Sequence, residues 1–176
     1  VRHPRAAQLR TFVQFLAYGA FRPHKFAVSR LHFFQAFNIE PEYDWECVRF
    51  RVNEGPAVLK TEDKIYVFFS ASGTGAEYCI GKVYADRNVD LMDVNNWIKD
   101  TEPALQTSDL LDQAGPGHNS FVVDENGDLL IVYHARPFSH FDKNCGSYCD
   151  EPLYDPCRHA RIKLVNFDEN GAPILK

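Results

Sequence analysis

The 176-residue sequence predicts an all-β fold that forms part of a β-propeller. Three observations carry this. Short runs of β-branched and aromatic residues alternate with turn sequences. No long amphipathic helix occurs after residue 53. The later part of the chain also repeats the earlier part at a fixed spacing.

The strands can be taken in order. Residues 65–70 (IYVFFS) form a strand run, introduced by the turn 61–64 (TEDK). Residues 129–133 (LLIVY) form another, introduced by 124–128 (DENGD), whose Asn-Gly tip is a strong hairpin signal. Shifting the chain by 64 positions lays 54–59 (EGPAVL) on 118–123 (HNSFVV) and superposes the two turns. Residues 78–85 (YCIGKVYA) then resemble 157–164 (CRHARIKL), with extra residues inserted before the second copy. Each unit is a hairpin, a third strand and an outer return, which is the pattern of a propeller blade. Residues 40–176 hold two such units and a fragment before them. Blades need neighbours to bury both faces, so the chain reads as part of a ring. A sandwich is the alternative, since spaced short strands also suit it; the repeat favours blades. The alignment places Glu54 and His118 at equivalent points on the strand nearest the axis, facing one funnel.

Charge divides the chain. Residues 1–39 carry Arg2, Arg5, Arg10, Arg22, Lys25 and Arg30 with no Asp or Glu, whereas the whole chain is at −5. The acids are therefore confined to the rest, and a boundary falls near Glu40: a basic segment, 1–38, helical or disordered, and a body, 39–176. A strongly acidic body repels phosphate, which argues against nucleic acid and suits neutral ligands such as sugars. No run of about 18 apolar residues is present, so no membrane-spanning helix is expected. In the head, Leu9, Phe12, Val13 and Leu16 stand at helical spacing and Gly19 supplies a stop. It reads as a leader, a targeting helix or a native segment. The opening residue, Val1, suggests a longer reading frame or processing. The five cysteines form no finger-type metal set; Cys145, Cys149 and Cys157 allow one loop disulfide, and an odd total leaves one unpaired.

Several pieces then line up with a known family. They are Trp45-Glu46, 52–58 (VNEGPAV), 65–72 (IYVFFSAS), 115–121 (GPGHNSF), 133–136 (YHAR), 155–161 (DPCRHAR) and 167–173 (FDENGAP). In this order they resemble glycoside hydrolase family 43 over residues 39–176, closest to α-L-arabinofuranosidases and exo-acting arabinan hydrolases. Residues 1–38 do not match. The resemblance implies a five-bladed β-propeller, of which this chain holds about two full blades plus part of a third, and inverting hydrolysis with three acids. Glu54 is then the general acid, with Asn53 and Arg158 binding substrate. His118 resembles the family histidine that faces an axial ion, calcium in many members, mostly through water. The implied partner is an arabinose- or xylose-containing oligosaccharide, and the implied location is extracellular.

A general acid must stay protonated until it donates, and burial and a neighbouring carboxylate serve that purpose. An inverting site also needs a second carboxylate roughly 6.5–9.5 Å away. The family's two aspartates precede the Glu motif, but Asp44 is the only Asp before Glu54 and matches neither motif. The isolated chain is therefore expected to have little or no activity. The alternative is a carbohydrate-binding propeller remnant without catalysis. Trp45 reads as core packing more than as a sugar platform, and Trp97 as a structural anchor.

Overall fold

Residues 64–71 (KIYVFFSA) become strand β2 (Lys64–Ala71), and both faces of its centre are covered, which is why residues 65–69 are apolar instead of alternating. In the computed structural model, which describes residues 39–141, Asp155 and residues 157–176, three antiparallel sheets follow in chain order. The first contains β1 (Asn53–Lys60), β2 (Lys64–Ala71), β3 (Cys79–Asp86) and β4 (Ile98–Lys99). The second contains β5 (Gln113–Val123), β6 (Leu129–Pro137) and β7 (His159–Leu164). A small third sheet pairs β8 (Asn166–Phe167) with β9 (Pro173–Ile174). Only short 3-10 turns interrupt the strands among the described residues. The all-β expectation holds. The readings made for residues 1–38, Cys145 and Cys149 lie outside the described residues.

The main core lies between the first two sheets. Leu59, Tyr66, Phe68 and Ile80 from the first sheet meet Phe121, Leu129, Ile131, Tyr133 and Ala135 from the second. Phe68 and Phe121 meet edge to face at 5.1 Å. Burying side chains of this size contributes about 1.5–3 kcal/mol each. On the other face of β2, Val67, Phe69 and Ala71 pack with Cys79, Val83 and Trp97. Trp97 is buried and donates to Leu91 O at 3.0 Å, the anchoring role read from sequence. Trp45 stacks between Tyr43 and Phe69 and donates to Thr101 O at 2.8 Å, so it packs as expected.

The second sheet's outward face is different. Val122, Ile162 and Leu164 remain exposed there, on strands whose other face is core. The sequence placed a blade fragment before the first sheet. Residues 39–52 instead form a 3-10 turn (Asp44–Glu46) and irregular chain, and the additional strands are β8 and β9 at the other end.

The internal repeat is real but shifted by one residue from the alignment read in sequence. Glu54 pairs with Ser70 and Gly117 pairs with His134. The equivalents are therefore Glu54 with Gly117, and Gly55 with His118. The cause is turn length. The first hairpin closes through Thr61 N–H to Lys64 O (2.9 Å), the second through Asp124 N–H to Asp128 O (3.0 Å), one residue longer. In both sheets the register then slips at a β-bulge, between Glu54 and Ala57 and between Gly117 and Ser120. Gly55 (φ +57°) and His118 (φ +50°) both take the left-handed conformation there. The third strands shift likewise. Tyr78 precedes β3 as Arg158 precedes β7, because Cys79 pairs with Ala71 and His159 with Ala135.

Candidate active site

These equivalent positions build one cluster at a common rim of the two sheets. Bulges re-aim side chains, and here the two bulges bring β1 and β5 together. A Cβ added to Gly55 would stand 3.2 Å from His118 Nδ1. Gly55, the neighbour of Glu54 in β1, therefore lies against His118, and it is Gly55, not Glu54, that stands equivalent to His118.

Glu54 is half-buried, and its Oε1 accepts a hydrogen bond from the Tyr78 hydroxyl at 2.6 Å. Tyr78 is fully buried, and burial, followed by the Glu54 carboxylate, pushes its phenol well above the ordinary range. It thus stays a protonated donor. The Tyr78 ring stacks on His134 (centroids 5.5 Å apart, planes at 11°), and His134 stacks on His118 (6.2 Å, 18°). Arg158 reaches the far edge of His134, with Nη2 2.6 Å from Nε2. Ser70, buried and opposite Glu54, accepts from the His118 backbone N–H at 2.6 Å. Burial pushes His134 down to about 4, helped by the positive charge of Arg158 and by His118 and Arg136, so the ring is neutral at pH 7.

A buried ion pair supports the rim. Arg136 Nη1 stands 3.4 Å from Asp155 Oδ2, and its Nη2 donates to the carbonyl of Thr74 in the loop before β3. Asp155 Oδ1 accepts from the Cys157 N–H at 2.8 Å, just before Arg158. Together these contacts fix the entry to β7 against the first sheet.

Asn53 goes elsewhere. Successive strand residues face opposite sides, and its Nδ2 donates to Ile39 O (2.5 Å) and to Glu46 Oε1 (2.7 Å). Substrate contact does not follow from that position. Glu46 is fully buried, bonded to Lys99 Nζ at 2.9 Å and to the N–H groups of Glu42 and Tyr43, a structural knot and not a catalytic carboxylate. Asp44 is exposed on its 3-10 turn. Among the described residues, the contacts linking Glu54, Tyr78, His134 and His118 include no second carboxylate.

Calcium takes six to eight oxygen ligands. The groups around His118 are a second imidazole, a hydroxyl and a carboxylate held by Tyr78. Among the described residues no three His, Cys, Asp or Glu side chains gather closely enough to hold a metal. This donor set does not fit a calcium cage. Cys47 and Cys79 are free thiols, and burial pushes Cys79 up to about 12.

Tyr78, Ser70 and Gly117 were not singled out from sequence as site residues, and His134 was read as no more than pocket lining. The one available signal was the repeat itself, since all four sit at the rim positions that carry Glu54, His118 and Arg158.

Known proteins resemble this chain in sequence and fold. The model for glycosyl hydrolases family 43 matches residues 30–173, beginning ahead of the charge boundary. The chain is similar to the extracellular exo-alpha-(1->5)-L-arabinofuranosidase of Streptomyces avermitilis, at 39% identity over 135 residues, covering 76% of this chain and 27% of that protein. The Streptomyces chartreusis protein of the same name is 48% identical over 99 residues, covering 56% of this chain and 30% of that one. The crystal structure of alpha-L-arabinofuranosidase from Lactobacillus brevis superposes with a TM-score of 0.70 at 38% identity, covering 78% of this chain and 40% of that one. The chain spans less than a third of the length of these two curated relatives.

Proposed function

The chain belongs to family 43 of the glycosyl hydrolases, and from that premise we propose that it carries the general-acid part of an inverting α-L-arabinofuranosidase. The observation that carries this reading is the position of Glu54. It sits at a bulge on the edge strand of the first sheet, half-buried, held by Tyr78, and facing the His118–His134–Arg158 group of the next sheet. In the reaction, Glu54 gives its proton to the leaving glycosidic oxygen while a water activated by an aspartate attacks the anomeric carbon from the other side. Arg158 binds sugar hydroxyls.

The base belongs to the proposal as a residue of the longer protein, because no second carboxylate joins the Glu54–Tyr78–His134–His118 contacts among the described residues. The ring belongs to it in the same way. In this reading the β1–β4 and β5–β7 sheets are two blades of a five-bladed propeller, and the exposed Val122, Ile162 and Leu164 face is where a further blade would pack. Relatives named extracellular support secretion and an arabinofuranosyl substrate over a xylosyl one. An ion near His118 would be held chiefly through water, and no step depends on it.

Two measurements on the 176-residue chain test the proposal. Titration calorimetry with arabino-oligosaccharide should show binding, and kinetics on an aryl α-L-arabinofuranoside should show little or no turnover. Turnover abolished by Glu54→Gln would mean that the base is already within these residues. Absence of any sugar affinity would count against the site.

A further inference from the structure

We propose that His134 is the positioning residue for Arg158: its Nε2 accepts a hydrogen bond from the guanidinium and so aims Arg158 into the rim beside Glu54. The inference rests on the reading of that rim as a sugar site and extends it to a residue with no assigned role.

The argument begins with donors and acceptors. A guanidinium has five N–H donors and no acceptor. Arg158 Nη2 and His134 Nε2 stand 2.6 Å apart, a bond that exists only if Nε2 carries no hydrogen. His134 is then the neutral tautomer with its hydrogen on Nδ1. The ring is also held in place. Tyr78 stacks on it at 5.5 Å, His118 stacks at 6.2 Å, and the backbone pairs with Gly117 on one side and Ala160 on the other. A fixed ring presents its acceptor in a fixed direction. Arginine has a long, rotamer-rich side chain, and an arginine already oriented loses less freedom when a sugar binds.

The test uses nitrogen-15 NMR on the 176-residue chain. The expected result is an unprotonated Nε2 and a protonated Nδ1 on His134, with an ordered Arg158 side chain. His134→Phe keeps a flat ring in the stack but removes the acceptor, and should make the Arg158 guanidinium measurably more mobile than in the wild type. His134→Gln, whose Oε1 stands near the place of Nε2, should restore order. Affinity for arabino-oligosaccharide should fall about tenfold in the Phe variant and recover in the Gln variant, the loss of roughly one charge-assisted hydrogen bond. A protonated Nε2 in the wild type overturns the proposal, whatever the variants do. So does an Arg158 equally ordered in the Phe variant. If wild type shows the expected tautomer and ordering but binds no sugar, the positioning stands and the sugar-site reading falls.

Discussion

The ring of Tyr78 occupies the space that a side chain at Gly117 would need, while its hydroxyl holds Glu54. A Cβ added at Gly117 would stand 1.9 Å from Tyr78 Cε1, and the Tyr78–Glu54 bond is 2.6 Å long. The glycine thus sets the position of the carboxyl indirectly. Gly117→Ala should destabilise the fold by about 1–3 kcal/mol through overpacking, measured by urea unfolding. In a Tyr78→Ala background that cost should largely vanish, since the obstructing ring is gone. An equal cost in both backgrounds would place the effect elsewhere.

The two bulges give a second prediction. Gly55 and His118 share the left-handed conformation, but only glycine adopts it without strain. His118→Gly and His118→Ala both delete the imidazole. The glycine variant should be the more stable of the two by about 1 kcal/mol, because alanine keeps the Cβ penalty. Urea midpoints compared side by side measure the difference. Identical midpoints would show that the backbone relaxes there at no cost.

What was legible in sequence was the local pattern. The runs KIYVFFSA and LLIVYHARP declared β2 and β6 because β-branched and aromatic residues fit a pleated, buried surface. The repeat was legible too, but its register was off by one residue, because a turn one residue longer shifts one strand and not its partner. The resemblance implied substrate binding by Asn53, yet neighbouring strand residues face opposite sides, and its amide joins Glu46. The Tyr78–Glu54 bond, the Glu46–Lys99 pair and the Arg136–Asp155 pair join residues 19 to 53 positions apart. No local motif encodes such contacts; they appear only when the sheets pack.

The Glu46–Lys99 pair is one of these, and both side chains are almost entirely buried. Lys99→Met would leave Glu46 without its counter-charge, and breaking a buried pair from one side costs about 3–5 kcal/mol. Replacing both, as Glu46→Leu with Lys99→Met, should recover much of that stability. Thermal melting of the two variants gives the comparison. A double variant no better than Lys99→Met would show that the N–H groups of Glu42 and Tyr43 and the Asn53 amide need the carboxylate more than Lys99 does.

His134 makes the fold sensitive to acid in a defined window. Burial and then the charge of Arg158 bring its folded value down to about 4, against an ordinary 6.5. Between those values the unfolded chain holds a proton on this ring that the folded chain does not. The contribution is therefore complete above pH 6.5 and declines as pH falls toward about 4. Solvent screening of this half-buried ring keeps its full size below the roughly 3 kcal/mol that the shift alone would give. His134→Phe has no such proton to take up, so its urea midpoint should change less with pH across that window than the wild type's. His118→Phe serves as the control on the neighbouring ring, since it leaves the Arg158 bond to His134 in place and should keep most of the wild-type slope. Parallel slopes for wild type and His134→Phe would show that the ring's protonation is not linked to folding.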